Sequence, residues 1–466
     1  MDKRLRNLLI FFSLVFVAIT ANLTYLQFFK ANELLASQYN IRSLAEELAT
    51  KRGSVITADG IEIAQSERVT SKKHQRFYPA GEPFSAITGF YDSRYGRFAL
   101  EQKYNDELLG KDPADTLADY IDRIAGRGEP GNDLILTVNS KIQRTAYRSL
   151  IGHRGAVVAI EPATGAVLAL ASYPGYNPNT LRADWQKLLN NKKSPLLNRA
   201  TSGLYPPGSS FKTVTLTAGL ENKKTSVKKM YPGPPAVRIY GGKVTNYKGK
   251  NYGNVTLQEA FEQSVNTVFA KLGLEVGGGA LVTQSESFGF NKDMGFDLPA
   301  KKSLVKQASE MDSLEVAWTA VGQAHTLATP LQMAMVAAAV ANKGRLMQPF
   351  LVNKIRDYQG RIIEKKQPKE LSVVAGGPAM REVRNLMIKV VEAGTGKGAK
   401  IAGVQVAGKT GTAEVKGKEP HAWFIAFAPA SKPKIAVAVI VENGGTGGAR
   451  AAPIAAEVIK EALKKD

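Results

Sequence analysis

Serine, lysine and asparagine at three short spacings hold the chemistry available to this chain. In Tyr205-Pro206-Pro207-Gly208-Ser209-Ser210-Phe211-Lys212-Thr213, prolines and a glycine precede a run with helical spacing, so a loop gives way to a helix start at Ser209. Lys212 then falls one turn on, on the same face and within reach of the Ser209 hydroxyl. A serine is a poor nucleophile at neutral pH, and a lysine whose charge is disfavoured by burial or by cationic neighbours supplies the missing base. The positive end of the helix favours the negative charge that develops. The same Ser-x-x-Lys pattern recurs at Ser226, Ser303 and Ser431, which read as surface coincidences, so the pair carries weight only with further groups beside it.

Two such groups occur once each, and in order. Ser264-Val265-Asn266 sits in a stretch with helical spacing, Leu257 to Leu272, and offers a hydroxyl and an amide to one cleft. Lys409-Thr410-Gly411-Thr412 follows the apolar Val404-Gln405-Val406-Ala407 and precedes a second apolar run from Ala422. This predicts a strand at the margin of a sheet, with Val404 to Ala407 already part of a strand. An edge strand has free backbone N–H groups. Gly411 allows close approach of a substrate backbone, and a donor there with one at Ser209 makes an oxyanion hole. Singly, Ser264 and Asn266 read as satisfied polar groups of a helix and Lys409 as a solvated strand end. Together, in this order, the three form one signature of serine acyl transfer.

A rival chemistry overlaps the third motif. Gly403-Val404-Gln405-Val406-Ala407-Gly408-Lys409-Thr410 matches Gly-x4-Gly-Lys-Thr, the phosphate-cradling P-loop of nucleotide-binding proteins. A P-loop needs a strand before its first glycine and a helix after its lysine. Here Gly398-Ala399-Lys400 precedes, and Gly411-Thr412-Ala413-Glu414 and Gly417 follow. His74, His153, His325 and His421 are scattered without metal-ligand spacing, and no Gly-x-Ser-x-Gly elbow supports a Ser-His-Asp triad. The absence of cysteine removes disulfides, thiolate nucleophiles and Cys-ligated zinc. No metal and no cofactor is expected.

The elements that must position these residues follow from the hydropathy pattern. Leu8 to Phe29 carries no charge and, as a helix, reaches about 33 Å, enough for a bilayer core. Lys3, Arg4 and Arg6 precede it, so residues 1–30 read as a cytoplasmic tail and a single membrane anchor, with the rest of the chain on the outer side. The competing reading, a cleaved signal peptide, has a shorter apolar run and a cleavage site that is missing here. The net charge of +21, from 62 basic and 41 acidic residues, then suits an anionic wall polymer or lipid rather than nucleic acid. Residues 31–150 are charged and Gly/Pro-punctuated. With Arg52-Gly53-Ser54-Val55-Ile56 as a turn into a strand and Asp59-Gly60 as a hairpin, they predict a small α+β platform. In 151–466, the apolar hairpin Ala156–Ile160 and Ala166–Leu170 and its counterpart, Ala422–Ala428 and Ile435–Val441, enclose a mostly helical middle. This predicts an α/β domain whose mainly antiparallel sheet is assembled from both ends and covered by helices, among them Leu331 to Ala341 and a tail from Ala451.

With these residues in place the chain resembles the class B penicillin-binding proteins, D,D-transpeptidases that cross-link peptidoglycan, and its length looks like their penicillin-binding protein A branch. Besides the three motifs, the resemblance rests on Leu197-Asn198-Arg199-Ala200, Gly322-Gln323, Thr329-Pro330-Leu331-Gln332, Gly394-Thr395-Gly396 and the anchor with Arg52-Gly53 and Glu101. Thr57-Ala58-Asp59-Gly60 departs from it by lacking the usual Asp-Arg or Asp-Asn pair. The resemblance implies a penicillin-binding transpeptidase (β-lactamase-like) domain at 151–466 on a pedestal at 31–150. It implies that Ser209 is acylated by D-Ala-D-Ala donors and by β-lactam antibiotics, with Lys212 as base and Ser264 relaying a proton to the leaving amine. It also implies that Asn266 holds the donor amide, Lys409 tunes the charge, Thr410 and Thr412 bind a carboxylate, and the Ser209 and Thr412 amides form the oxyanion hole. Implied partners are peptidoglycan stem peptides or a lipid-linked precursor, and a SEDS-family glycosyltransferase, since no second catalytic domain is apparent before Gly155.

Within this class a D,D-carboxypeptidase, a β-lactamase and a β-lactam-binding receptor domain are the other readings. No Glu between Ser264 and Lys409 has an Asn four residues on, which argues against the deacylating carboxylate of class A β-lactamases. A receptor would want several spans or a signalling domain. Trp423 and Phe424, on the strand after Lys409–Thr412, are expected to shield the acyl ester from water.

Overall fold

The uncharged amino-terminal run forms a single helix, α1 (Lys3–Phe28), because nothing in it breaks an apolar helical repeat. Its segment Lys3–Tyr25 has a mean hydropathy of 2.1 and is not buried against the rest of the protein, so this one helix is long and apolar enough to cross a membrane. The computed structural model describes residues 2–28, 47–70, 73–111, 122 and 128–464. Phe29, Lys30 and the first part of the expected platform, 31–46, lie outside the described residues.

The platform is built on a six-stranded sheet. Strand β1 (Val55–Ile56) runs antiparallel to β2 (Glu62–Thr70) across the Asp59-Gly60 turn, where Gly60 takes a φ of +81°. Strand β3 (Lys73–Phe77) continues the meander, and β4 (Asp133–Leu136) lies parallel to β1. Two strands from far along the chain complete the sheet: Val352–Arg356 pairs antiparallel onto β4, and Ile362–Lys365 pairs onto Val352–Arg356 as the edge. The two halves of the chain are therefore stitched together rather than joined by a linker.

Arg52, Glu101 and Arg76 form the platform's buried centre. The carboxylate accepts from Arg52 Nη2 at 2.8 Å and from Arg76 Nε at 2.6 Å, with side-chain exposures of 2% or less. Burial alone raises a carboxyl pKa, but Arg76 and Arg52 outweigh it and hold Glu101 below the usual range. Removing one member of such a group leaves uncompensated buried charge. Glu101→Gln is expected to destabilise the protein by about 3–5 kcal/mol, read as a thermal midpoint several degrees lower. An unchanged midpoint would show that the cluster is dispensable.

Helix α2 (Ser140–Arg148) starts at Asn139, whose side chain accepts from the Lys141 and Ile142 amides. After it come β5 (Gly155–Ile160) and β6 (Val167–Tyr173). The middle of the chain is helical, with α3 (Lys212–Glu221), a protruding hairpin of β7 (Ala236–Ile239) and β8 (Gly242–Thr245), α4 (Leu257–Glu262), α5 (Asn266–Val276), α6 (Pro330–Ala341) and α7 (Gly377–Glu392). Strands β9 (Ala407–Val415), β10 (Lys418–Ala428) and β11 (Ile435–Val441) then return to the first hairpin, and α8 (Gly447–Leu463) closes the fold. The sheet order is β9-β10-β11-β5-β6, antiparallel throughout, so both ends of the segment do assemble it. Every residue of β5 and β11 is buried, because α6 covers one face and α2 with α8 the other. That two-sided burial is why these strands read as continuous apolar runs.

Candidate active site

Ser209 lies on a short 3₁₀ turn, Gly208–Phe211, that runs directly into α3 at Lys212. The α-helix thus begins three residues later than its spacing suggests. In a 3₁₀ turn residues three apart eclipse one another, which keeps Lys212 on the face of Ser209. The two adjacent serines differ in kind. Ser210 is fully buried and its hydroxyl donates to the Pro207 carbonyl at 2.6 Å, whereas Ser209 is half-buried and its hydroxyl makes no hydrogen bond among the described residues. Gly208 has a φ of +52°, and a Cβ there would stand 2.7 Å from the Thr412 carbonyl oxygen, so the turn needs glycine on two counts.

The expected helix from Leu257 to Leu272 is broken at the second motif. Helix α4 ends at Glu262 and α5 begins at Asn266, with Ser264 between them at a φ of +59°. A non-glycine residue in the left-handed region costs energy that the surroundings must supply. What they gain is a Ser264 whose carbonyl and hydroxyl both face Lys212. Lys212 Nζ donates to the Ser264 carbonyl at 2.8 Å and to Asn266 Oδ1 at 2.6 Å, and stands 3.3 Å from Ser264 Oγ. Asn266 Nδ2 donates to the Thr245 carbonyl at 2.9 Å, which fixes the amide's orientation from β8.

The third motif lies on β9, the edge strand of the sheet. The strand begins at Ala407, so Val404 to Val406 are not strand as expected; Val404 instead closes a turn back to Ile401. No helix follows Lys409-Thr410, and the P-loop reading fails on that geometry. Thr412 turns its carbonyl toward Gly208, away from β10. Because the N–H and C=O of one strand residue point to the same side, its N–H also faces the cleft. The close approach that Gly411 permits is that of the chain's own loop: a Cβ there would meet the Pro207 carbonyl and Trp423 Cβ, each at 2.7 Å.

Lys409 and Lys212 converge on one hydroxyl. Lys409 Nζ donates to Ser264 Oγ at 2.9 Å and to the Thr410 carbonyl at 3.1 Å. Both lysines are fully buried, with Lys212 Nζ over the Phe269 ring and Lys409 Nζ over the Phe261 ring, each 5.4 Å from the centroid. Burial and then the Lys409 charge hold Lys212 well below the ordinary lysine range, and burial pushes Lys409 down to about 7. Two acceptor-only oxygens, the Ser264 carbonyl and Asn266 Oδ1, use both N–H bonds of a neutral Lys212 and leave its lone pair free. Among the described residues no cluster of three or more His, Asp or Glu side chains could hold a metal.

Several sequence readings need correction. Trp423 and Phe424 are both fully buried, so neither ring can cover an ester at Ser209. Trp423 works from beneath instead, its Nε1 donating to the Pro206 carbonyl at 2.9 Å and tying the nucleophile loop to the sheet. Ser303 is no surface coincidence: it is buried and its hydroxyl accepts from the Thr329 amide at 3.1 Å. The spacing arguments missed Phe261 and Phe269, three residues before Ser264 and three after Asn266, and gave Thr395 no role. The Thr395 hydroxyl lies 2.6 Å from that of Thr410. The loop is further held by Glu442, which accepts from Tyr205 Oη and Arg199 Nε, both at 2.8 Å.

Comparison with known proteins agrees with this geometry. Residues 155–460 match the model of the penicillin-binding protein transpeptidase domain, and residues 52–134 that of the penicillin-binding protein A dimerisation domain. The chain is 36% identical to the peptidoglycan D,D-transpeptidase PbpA of Mycolicibacterium smegmatis, over 100% of both chains. It is 32% identical to the peptidoglycan D,D-transpeptidase MrdA of Acinetobacter baumannii, over 81% of this chain and 64% of that one. Among solved structures, penicillin-binding protein A from Mycobacterium tuberculosis in a ceftriaxone acyl-enzyme complex superposes with a TM-score of 0.84 at 36% identity, covering 90% of this chain and 100% of that one. With the family model spanning all five strands of the second sheet, and a relative matched end to end, the chain belongs to the penicillin-binding protein transpeptidase family.

Proposed function

We propose that this protein is a serine D,D-transpeptidase that cross-links peptidoglycan stem peptides and is acylated by β-lactams. The observation that carries the reading is a buried, charge-depressed Lys212, held by Ser264 and Asn266 one turn from a half-buried serine whose hydroxyl makes no hydrogen bond among the described residues. Neutral Lys212 takes the Ser209 proton as Oγ attacks the carbonyl carbon of the penultimate D-Ala. The oxyanion is met by the Ser209 and Thr412 amides. The proton passes from Lys212 through Ser264 to the departing D-Ala amine, the C–N bond breaks, and the acyl ester remains on Ser209. Asn266 keeps a lone pair on Oδ1 for the donor peptide's N–H. Lys409 supplies positive potential, and the Thr410 and Thr412 hydroxyls hold the terminal carboxylate. An acceptor amine then loses its proton to Lys212 and attacks the ester carbonyl, the C–O bond to Ser209 breaks, and Lys212 returns the proton to Ser209 Oγ as the cross-link forms.

The rest of the organisation is read in the same way. Residues 1–30 are the cytoplasmic tail and single anchor, 31–150 the pedestal and 151–466 the transpeptidase domain on the outer side, with the strands at 352–365 crossing back into the pedestal. The donor arrives as nascent glycan or lipid-linked precursor, and a SEDS-family glycosyltransferase makes that glycan.

The test is the fate of the acyl-enzyme. Detergent-solubilised full-length protein given a thioester mimic of the D-Ala-D-Ala donor is expected to yield the amide when a D-amino acid is present at saturation. Product dominated by free acid under those conditions would falsify transpeptidation and favour a D,D-carboxypeptidase.

A further inference from the structure

The chain between α3 and α4 is of one charge. Residues 222–258 contain eight Lys or Arg and no Asp or Glu. Part of this segment is the hairpin β7–β8 and the loop after it, which present Arg238, Tyr240, Lys243, Tyr247, Lys248 and Lys250, all exposed. Tyr240 at the hairpin tip is 96% exposed, unusual for a large aromatic ring on a protein surface. Lys248 Nζ lies 5.5 Å from the centroid of Tyr247, and Lys250 Nζ 4.5 Å from that of Tyr252, so cations and rings are interleaved. Among the described residues, none of Arg238, Lys243, Lys248 and Lys250 has an acidic partner.

The hairpin is wired to the catalytic centre. The β8 residue Thr245 accepts from Asn266 Nδ2, and Asn246 Oδ1 accepts from the Thr267 amide at 3.0 Å. A polymer lying on the hairpin is thereby placed at the Asn266 side of the cleft. Apolar faces of sugar rings stack on exposed tyrosines, and carboxylates pair with lysine and arginine. We propose that the hairpin and the 247–252 loop are the docking surface for a glycan strand bearing acidic stem peptides. The proposal rests on the transpeptidase reading, and it fits the surface better than an anionic membrane does because the cations lie on and beside the strand that orients Asn266.

The full chain in detergent is tested for retention on purified sacculi, on sacculi stripped of stem peptides by an amidase, and on phosphatidylglycerol vesicles. Arg238→Gln/Lys243→Gln/Lys248→Gln/Lys250→Gln is expected to bind sacculi about tenfold more weakly and with a shallower salt dependence. Tyr240→Ser is expected to weaken binding to both intact and stripped sacculi. Acylation by a small fluorescent penicillin is expected to stay within about twofold of wild type, because none of the substituted side chains touches Ser209, Lys212, Ser264 or Lys409. Equal retention of wild type and variants overturns the proposal, and so does a loss confined to the vesicles, which assigns the patch to a lipid surface. Absence of penicillin labelling in the wild-type protein instead overturns the transpeptidase reading, and is scored separately.

Discussion

Ser209→Ala is expected to lose labelling by a fluorescent penicillin by at least about 10³-fold while unfolding at the wild-type temperature. The two halves of this result come from one observation. The Ser209 hydroxyl makes no hydrogen bond among the described residues, so its removal leaves no orphaned partner and creates no cavity of consequence. Ser210→Ala behaves in the opposite way: it keeps labelling and loses stability, because the Ser210 hydroxyl is buried on the Pro207 carbonyl. Lys212→Ala retains the nucleophile but removes its base, and is expected to slow acylation by about 10²–10⁴-fold. Mass spectrometry of the adduct peptide locates the label. An adduct on Ser210, or undiminished labelling of Ser209→Ala, sinks the assignment.

Much of this site was legible in the sequence because its parts are local. Ser209 and Lys212 stand one turn apart whether the turn is α or 3₁₀, and the Lys409 strand sits at a sheet margin because only one apolar run follows closely enough to pair with it. The break at Ser264 was not legible. Helical spacing runs through Leu257 to Leu272, and only the tertiary pull of Lys212 and Lys409 on the Ser264 oxygens sets its left-handed backbone. The place of Trp423 was hidden for a related reason. Alternation along β10 says that one ring faces each side of the sheet, but not that the nucleophile loop crosses beneath it and offers the Pro206 carbonyl. The crossing of residues 352–365 into the platform sheet has no local signal at all, since those strands read only as short mixed segments.

The two buried lysines set the other large effect, and it has opposite signs for stability and activity. Lys409 in the folded protein has a pKa near 7, below its unfolded value, so the unfolded chain binds more protons between about pH 7 and 10. At and below pH 7 the full burial penalty is present, and stability rises as pH climbs toward the unfolded pKa. One pKa unit is about 1.4 kcal/mol, so the penalty at pH 7 amounts to a few kcal/mol, more than the roughly 1–3 kcal/mol lost by leaving Ser264 Oγ and the Thr410 carbonyl without a donor. Lys409→Met, of similar length and without charge, is therefore expected to raise the thermal midpoint at pH 7, with an advantage that shrinks by pH 10. The same change strips positive potential from the cleft and should slow penicillin acylation by about 10²-fold or more. It also removes the like charge that, after burial, depresses Lys212, so the remaining acylation should need a higher pH than in the wild type. Thermal unfolding at pH 7 and 10, together with the pH profile of the acylation rate, tests the three parts at once. A Lys409→Met protein that is less stable at pH 7 and keeps the wild-type acid limb would show that Lys409 is not a strained buried cation acting on Lys212, and the charge-tuning role would have to be given up.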